Sequence, residues 1–237
     1  MTEQQNVWVY LSSNPLLHLT MTMAVFALAN KIYKKANFNP LLNPVLISIM
    51  VIVSFLLLSN TSYDTYFTGA QFIHFLLGPA TVALAIPLYK QFNRIKQSAG
   101  AIVASLLIGS STAAVSAIGI AWLLDAKLLS IVSLAPKSIT APVAMGISEQ
   151  LGGLASLTAV LVILTGILGA MLGPWIVKLI KIKDNAALGM ALGTASHGIG
   201  TARALQVNDV AGAFSGLAMG LNALATAILL PLLWQLF

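Results

Sequence analysis

SLAPKSITAPVAMGIS, from Ser133 to Ser148, is the stretch whose reading decides the fold. It lies among long apolar runs, yet it carries two prolines, a lysine, a glycine and hydroxyl side chains. Pro136 and Pro142 each lack a backbone N–H and disrupt a helix interior. Lys137 is costly at bilayer depth unless it faces protein or water. The stretch therefore reads as two short half-helices joined by an unwound turn near Ala135–Thr140, buried in protein or lining a cavity. Pro136 and Pro142 are the expected breaking residues, as are Gly78 and Pro79 further upstream.

A second such stretch follows 60 residues later. It runs from Gly193 to Gln206, GTASHGIGTARALQ, and holds three glycines, one histidine and one arginine. The rest of the chain reads as scaffold for these two stretches. Of its 237 residues, 58% are hydrophobic and 8% charged, and the mean hydropathy is +0.92. A soluble domain is about 25% charged. The apolar runs are long and lack an alternating period, so the chain reads as an all-α polytopic membrane protein. No enzymatic domain outside the membrane fits in what remains. The opening MTEQQNVWVYLSSN lacks the pattern of a cleavable signal. The absence of cysteine excludes disulfides, thiolate metal sites and cysteine nucleophiles. The net charge of +6 does not point to nucleic acid, because the cations mostly flank apolar runs.

Six full spans are expected: 15–33, 41–59, 69–89, 99–124, 154–177 and 211–236. The third is interrupted by Gly78-Pro79 and by Pro87. The fourth is rich in small residues, which favour close helix packing in lipid and are compatible with a homodimer. Placing Lys31–Lys35, Lys90–Lys96 and Lys178–Lys183 in the cytoplasm puts the N-terminus outside. If the Lys137 and His197 stretches both dip in and return, all three clusters stay inside. The C-terminus is outside whether both are re-entrant or both cross fully, and both arrangements remain open.

An internal repeat accompanies this plan. At an offset of 60 residues, Ala135, Lys137, Ile139 and Ala144 fall on Ala195, His197, Ile199 and Ala204. Glu149 falls on Asp209, Gly152 on Gly212, and Leu157, Leu161 and Leu164 on Leu217, Leu221 and Leu224. The single membrane domain then divides into scaffold helices (1–126), repeat unit one (127–183) and repeat unit two (184–237). Each unit is a broken element plus a span. With re-entrant breaks the two units are inverted, the plan of many secondary transporters.

The chemistry of the breaks suits a small organic anion. Half-helix N-termini present free N–H groups and a positive dipole end. Ser138 and Thr140 add hydroxyls, and Lys137 adds a charge. Gly193, Gly198 and Gly200 permit close backbone approach, and Thr194, Ser196 and Thr201 add donors. His197 can donate, accept or titrate near neutral pH. Arg203 can grip a carboxylate through two parallel bonds. Bland readings stand beside these. Lys137 could pair with Glu149, His197 could be a core histidine bonded to a carbonyl, and Arg203 could be an interfacial anchor. Glu149 and Asp209 could stabilise helix N-termini. His18 and His74 read as structural, and Asn43, Pro44, Pro79 and Thr81 either line the site or only shape helices. No phosphate-binding loop, serine-hydrolase elbow or zinc-protease motif occurs. Three scattered histidines do not make a metal site, and no cofactor is expected.

Four stretches carry a resemblance. LLGPATVALAIPLYKQ (Leu76–Gln91), PKSITAPVAMGISEQLGG (Pro136–Gly153), LTAVLVILTGILGAMLGP (Leu157–Pro174) and GTASHGIGTARAL (Gly193–Leu205) closely resemble the LrgB/CidB family of bacterial inner-membrane proteins. The resemblance covers nearly the whole chain from about Pro15. It implies a multi-pass protein of the inner membrane, encoded with a small LrgA/CidA-like membrane partner. The family includes the domain of the plastid glycolate/glycerate translocator, pyruvate uptake systems, and holin- or antiholin-like proteins that affect murein hydrolase activity and lysis. Two readings follow. In the first, a secondary transporter of small 2-hydroxy- or 2-oxo-carboxylates binds substrate through Lys137, Ser138, Thr140, Ser196, His197, Gly198, Thr201 and Arg203. His197 carries the coupled proton, with Glu149 as the other candidate. In the second, the chain is a holin-like protein that assembles or regulates a membrane lesion.

Overall fold

Proline and small-residue punctuation sets where the apolar runs of this chain become helices. The computed structural model describes residues 14–36, 38–39 and 42–234, apart from the side chains of 77 and 81, and its regular elements are all helical. The chain divides into two units, Met1–Ala83 and Leu84–Phe237.

The first unit contains α1 (Pro15–Lys35), α2 (Pro44–Leu58), α3 (Tyr63–Phe75) and α4 (Leu77–Ala83). Asn14, Asn43 and Ser62 cap the first three helices through their side chains, the pattern expected at helix starts. Helix α1 packs on α2 and α3. Gly69 of α3 lets the backbones meet, because a Cβ there would run into the carbonyl oxygen of Pro15. His18 is fully buried in α1, with its ring edge-on to Tyr66 at 5.8 Å. Tyr66 Oη lies 2.9 Å from Thr22 Oγ1.

The second unit contains α5 (Ala85–Lys90), α6 (Phe92–Gln97), α7 (Ala99–Leu123), α8 (Leu128–Leu134), α9 (Ala141–Gln150), α10 (Ala155–Leu179), α11 (Asn185–Val207) and α12 (Asp209–Trp234). Helix α11 lies along α12 and α10 and also meets α7. The α8–α9 pair packs on α10, and α9 also reaches α12. One core cluster gathers Ala135, Ile139, Ala144, Ile147, Val162 and Leu230, so the turn between α8 and α9 is part of the interior. Several helices end in a left-handed residue, at Asn60, Asp125, Gly152 and Lys181. Each is followed by an N–H that reaches back to the last helical turn, as in Gly153 N to Ser148 O at 2.7 Å.

Among the described residues, five helical stretches are long and apolar enough to cross a membrane: α1, the run Tyr63–Lys90 counted through its interruptions, α7, α10 and α12. The expected span 41–59 is represented by the shorter apolar helix α2. Asn43 caps α2 and Pro44 starts it, which leaves 15 residues. That is about 22 Å at 1.5 Å per residue, short of a hydrocarbon core of about 30 Å. The expected ends of two spans, Leu41 and Leu236, lie outside the described residues, as does the Thr81 side chain.

The proline positions also need correction. The expected break at Gly78-Pro79 falls earlier, at Leu76, and Pro79 lies inside α4. A helical proline cannot bond the carbonyl four residues back and clashes with it. For Pro79 that carbonyl belongs to Phe75, where α3 ends. Pro142 starts a helix instead of breaking one, because it sits in the first turn of α9, where the missing N–H is not needed. Pro136 lies in the unwound turn as expected.

Candidate functional site

The first break spans Ala135 to Thr140. Two backbone bonds close it, Lys137 N to Leu134 O at 3.1 Å and Ile139 N to Pro136 O at 3.3 Å. Thr140 takes the extended backbone of an N-cap, yet its side chain makes no capping bond. Lys137 is half-buried and donates from Nζ to Ser138 Oγ at 3.4 Å. The one ion pair among the described residues joins Arg94 to Asp184 at 2.9 Å, so Lys137 does not pair with Glu149. Glu149 is exposed near the opposite end of α9.

The second break is a single residue. His197 has φ 41° and ψ −130° inside α11 and divides it into an earlier and a later half. Such a conformation costs a non-glycine residue about 1–3 kcal/mol and persists only where its surroundings enforce it. Those surroundings are specific. The ring is buried, with Nε2 3.0 Å from Val162 O on α10. Thr201 Oγ1 donates to His197 O at 2.9 Å and lies 3.0 Å from Ser215 Oγ on α12. Small residues of α10 make the room: a Cβ at Gly166 would lie 2.7 Å from His197 Cε1, and one at Gly169 would collide with Ser196 Oγ.

Ser196 itself is fully buried, and its hydroxyl has no hydrogen-bond partner among the described residues. The close approach at Gly169 gives a clear expectation. Gly169→Ala destabilises the protein by about 2 kcal/mol or more, as overpacking of a well-filled interior does. Thermal unfolding in detergent reads this loss, and Ser196→Gly on the same chain restores most of it.

Asn222 of α12 joins the two breaks, and the sequence reading missed it. It is 1% exposed. Its Nδ2 donates to Ser138 O of the first break at 3.2 Å and to Thr194 O of α11, three residues before His197, at 2.8 Å. Its Oδ1 accepts from Ser110 Oγ on α7 and from Thr226 Oγ1 at 3.5 Å. The available signal was one carboxamide in an apolar run of 26 residues. A polar side chain there needs partners within the protein. Val162 plays a matching part on α10. Its carbonyl meets His197, and its side chain shares a core cluster with Ala135 and Ile139.

The expected site residues therefore divide. Ser138, Ser196, His197 and Thr201 are buried, and Lys137 and Thr140 are half-buried. Gly198 is exposed. Arg203 is half-buried, and its Nη1 donates to Gln206 Oε1 one turn further along α11. Asn222 brings Ser138 and Thr194 together. In the first unit, Asn43 and Pro44 shape the start of α2, and His74 is exposed beside Phe67.

A model of the LrgB-like family matches residues 22–236 of the chain. The uncharacterized protein YwbG of Bacillus subtilis is 38% identical over 218 residues, covering 92% of this chain and 96% of that protein. The holin-like protein CidB of Staphylococcus epidermidis is 36% identical over 221 residues, 93% of this chain and 96% of the relative. The holin-like protein CidB of Staphylococcus aureus is 35% identical over 222 residues, 94% and 96%. No solved structure matches.

Proposed function

The chain belongs to the LrgB-like family of membrane proteins, and on that premise we propose that it is a proton-coupled secondary transporter of small 2-hydroxy- and 2-oxo-monocarboxylates. Glycolate, glycerate and pyruvate define the class. The observation that carries the reading is the pair of hydrogen bonds that Asn222 Nδ2 donates to backbone carbonyls of both broken elements. Unwound backbone at membrane depth is tolerated only where protein buries it or a cavity accepts it. Discontinuous helices that meet at a repeat interface are how many transporters build a substrate site.

The 60-residue offset supports an inverted repeat of units 127–183 and 184–237. It pairs Val162 with Asn222 as well as Lys137 with His197. The break of the second unit bonds position 162 of the first, and the break of the first unit bonds position 222 of the second. This reciprocal docking is what a pseudo-two-fold axis would generate. The two breaks are read as re-entrant from opposite faces, with the basic clusters cytoplasmic and both termini outside. A sixth crossing would then need α2 to combine with flanking residues.

In the proposed mechanism the ammonium of Lys137 attracts the carboxylate. The hydroxyls of Ser138 and Thr140 and the free N–H groups at the start of α9 complete its shell. Thr201 and Ser196 select the second oxygen of the substrate. His197 carries the coupled proton, and its bond to Val162 O couples its protonation to the seat of the break. A small LrgA/CidA-like membrane partner and a homodimer belong to the same proposal.

A second reading, a holin-like protein controlling lysis, is favoured by the names of the staphylococcal relatives. A proton-coupling test separates the two. In proteoliposomes, an imposed pH gradient accelerates uptake of labelled pyruvate or glycolate by the wild type. His197→Asn loses the acceleration but keeps exchange of labelled for unlabelled substrate at equal pH. Gradient-independent uptake by the wild type would remove the coupling role from His197.

A further inference from the structure

A cavity of about 600 Å³ lies in the second unit between α7 and the earlier half of α11. Its volume falls within the roughly 300–1,000 Å³ of small-molecule sites. Six of its fifteen lining residues are alanine, so short side chains keep it open, and Ser98, Ser105 and Thr194 supply hydroxyls. At one end stands the Arg94–Asp184 pair, with the guanidinium also 5.7 Å from the centre of the Phe214 ring. Toward the other end the cavity narrows, since a Cβ on Gly109 would lie 3.2 Å from Thr194 Cγ2. Thr194 is the residue whose carbonyl Asn222 holds together with Ser138.

We propose that this cavity is the aqueous route by which a small organic monoanion travels from the Arg94 end of the second unit to the α11 break, with Arg94 as the receiving cation and Asp184 as its resting partner. The identity of the anion rests on the transport reading above. The charge pattern is what carries the inference further. Arg94 and Asp184 are both about half exposed, so their pair is weak and an incoming carboxylate can compete for the guanidinium. Asp184 is not left without a partner when that happens. The same Oδ1 that meets Arg94 accepts Ala186 N at 2.8 Å as the N-cap of α11. The pair therefore opens without stranding a charge, which is what a residue that hands an anion inward requires. Past this pair, the cavity wall carries hydroxyls and apolar groups but no second carboxylate to repel the anion.

The absence of cysteine makes the test direct. Ala191→Cys and, on the opposite wall, Ala101→Cys each place one thiol in the cavity of the full chain in proteoliposomes. Each is treated with two thiosulfonate reagents of similar size, one carrying a sulfonate and one a quaternary ammonium. The proposal expects both positions to react, with the anionic reagent faster, because Arg94 can exchange Asp184 for an incoming anion while Asp184 keeps its bond to Ala186 N. Arg94→Gln abolishes the preference, and Asp184→Asn enhances it. Thiols that react only with a neutral membrane-permeant maleimide would show a lipid-filled space and overturn the proposal. Equal rates for the two charges, unchanged by Arg94→Gln, would overturn it as well. The readout is independent of uptake. Charge-selective labelling in a chain that moves no monocarboxylate would count against the transport reading and leave the access route standing.

Discussion

Lys137→Ala takes up labelled pyruvate and glycolate at least about thirtyfold more slowly than the wild type, and its unfolding midpoint moves by no more than about 2 °C. The two halves of this expectation have separate origins. With substrate bound over this half-buried ammonium, removing the charge that holds the anion costs roughly 2–5 kcal/mol of binding. At about 1.4 kcal/mol per decade that is thirtyfold or more. Stability is spared because Lys137 forms no ion pair among the described residues, so its removal strands no carboxylate there. Its one side-chain hydrogen bond among the described residues, to Ser138 Oγ, is long at 3.4 Å. Uptake is measured in proteoliposomes, and unfolding by fluorescence in detergent. Full uptake by a folded Lys137→Ala protein would remove the first break from the site.

Asn222→Leu gives the opposite signature, with stability and uptake falling together. Leucine fills a similar volume but leaves Ser138 O, Thr194 O and the Ser110 hydroxyl without their shared partner. An unsatisfied buried polar group costs about 1–3 kcal/mol, while interhelical hydrogen bonds in membranes average nearer 0.6 kcal/mol. A total of about 2–3 kcal/mol is expected, a drop of roughly 5–10 °C in a chain of this size. Uptake falls by more than about tenfold, because nothing then holds the two breaks in register. Asn222→Gln, which keeps the amide but displaces it, recovers stability in part and uptake very little. An Asn222→Leu protein of wild-type stability and uptake would show that the breaks are aligned by other contacts.

The first break was legible because its cause is local, since Pro136 cannot continue a helix. The second was legible only as a stretch of unusual composition, because the left-handed residue is His197 itself and the tertiary surroundings enforce it. The unwound turn at Ala135–Thr140 and the interruption inside α11 accordingly fall within the expected stretches. The length of α2 was less legible, since the cap at Asn43 and Pro44 looks like a bend inside a longer apolar run. Asn222 was missed for a different reason. Its importance lies in α7, α11 and the turn between α8 and α9, which only the tertiary fold brings to it, and no spacing along α12 announces them. The 60-residue offset that pairs Leu161 with Leu221 also pairs Val162 with Asn222, which was the nearest available clue. Arg203 was expected as a carboxylate grip from its place beside a broken helix, and one of its nitrogens donates to Gln206 on its own helix.

The central claim is that the two breaks form a site for a small carboxylate, and the most direct measurement is uptake by the purified wild-type chain in proteoliposomes loaded with a fluorescent dye. Labelled pyruvate and glycolate are supplied outside, with the small LrgA/CidA-like partner present or absent. The account predicts saturable uptake in which each acid competes with the other, while the dye stays inside. Folded protein that takes up neither acid under either condition, but releases dye increasingly with its density in the membrane, would contradict the account and establish a lesion-forming protein instead.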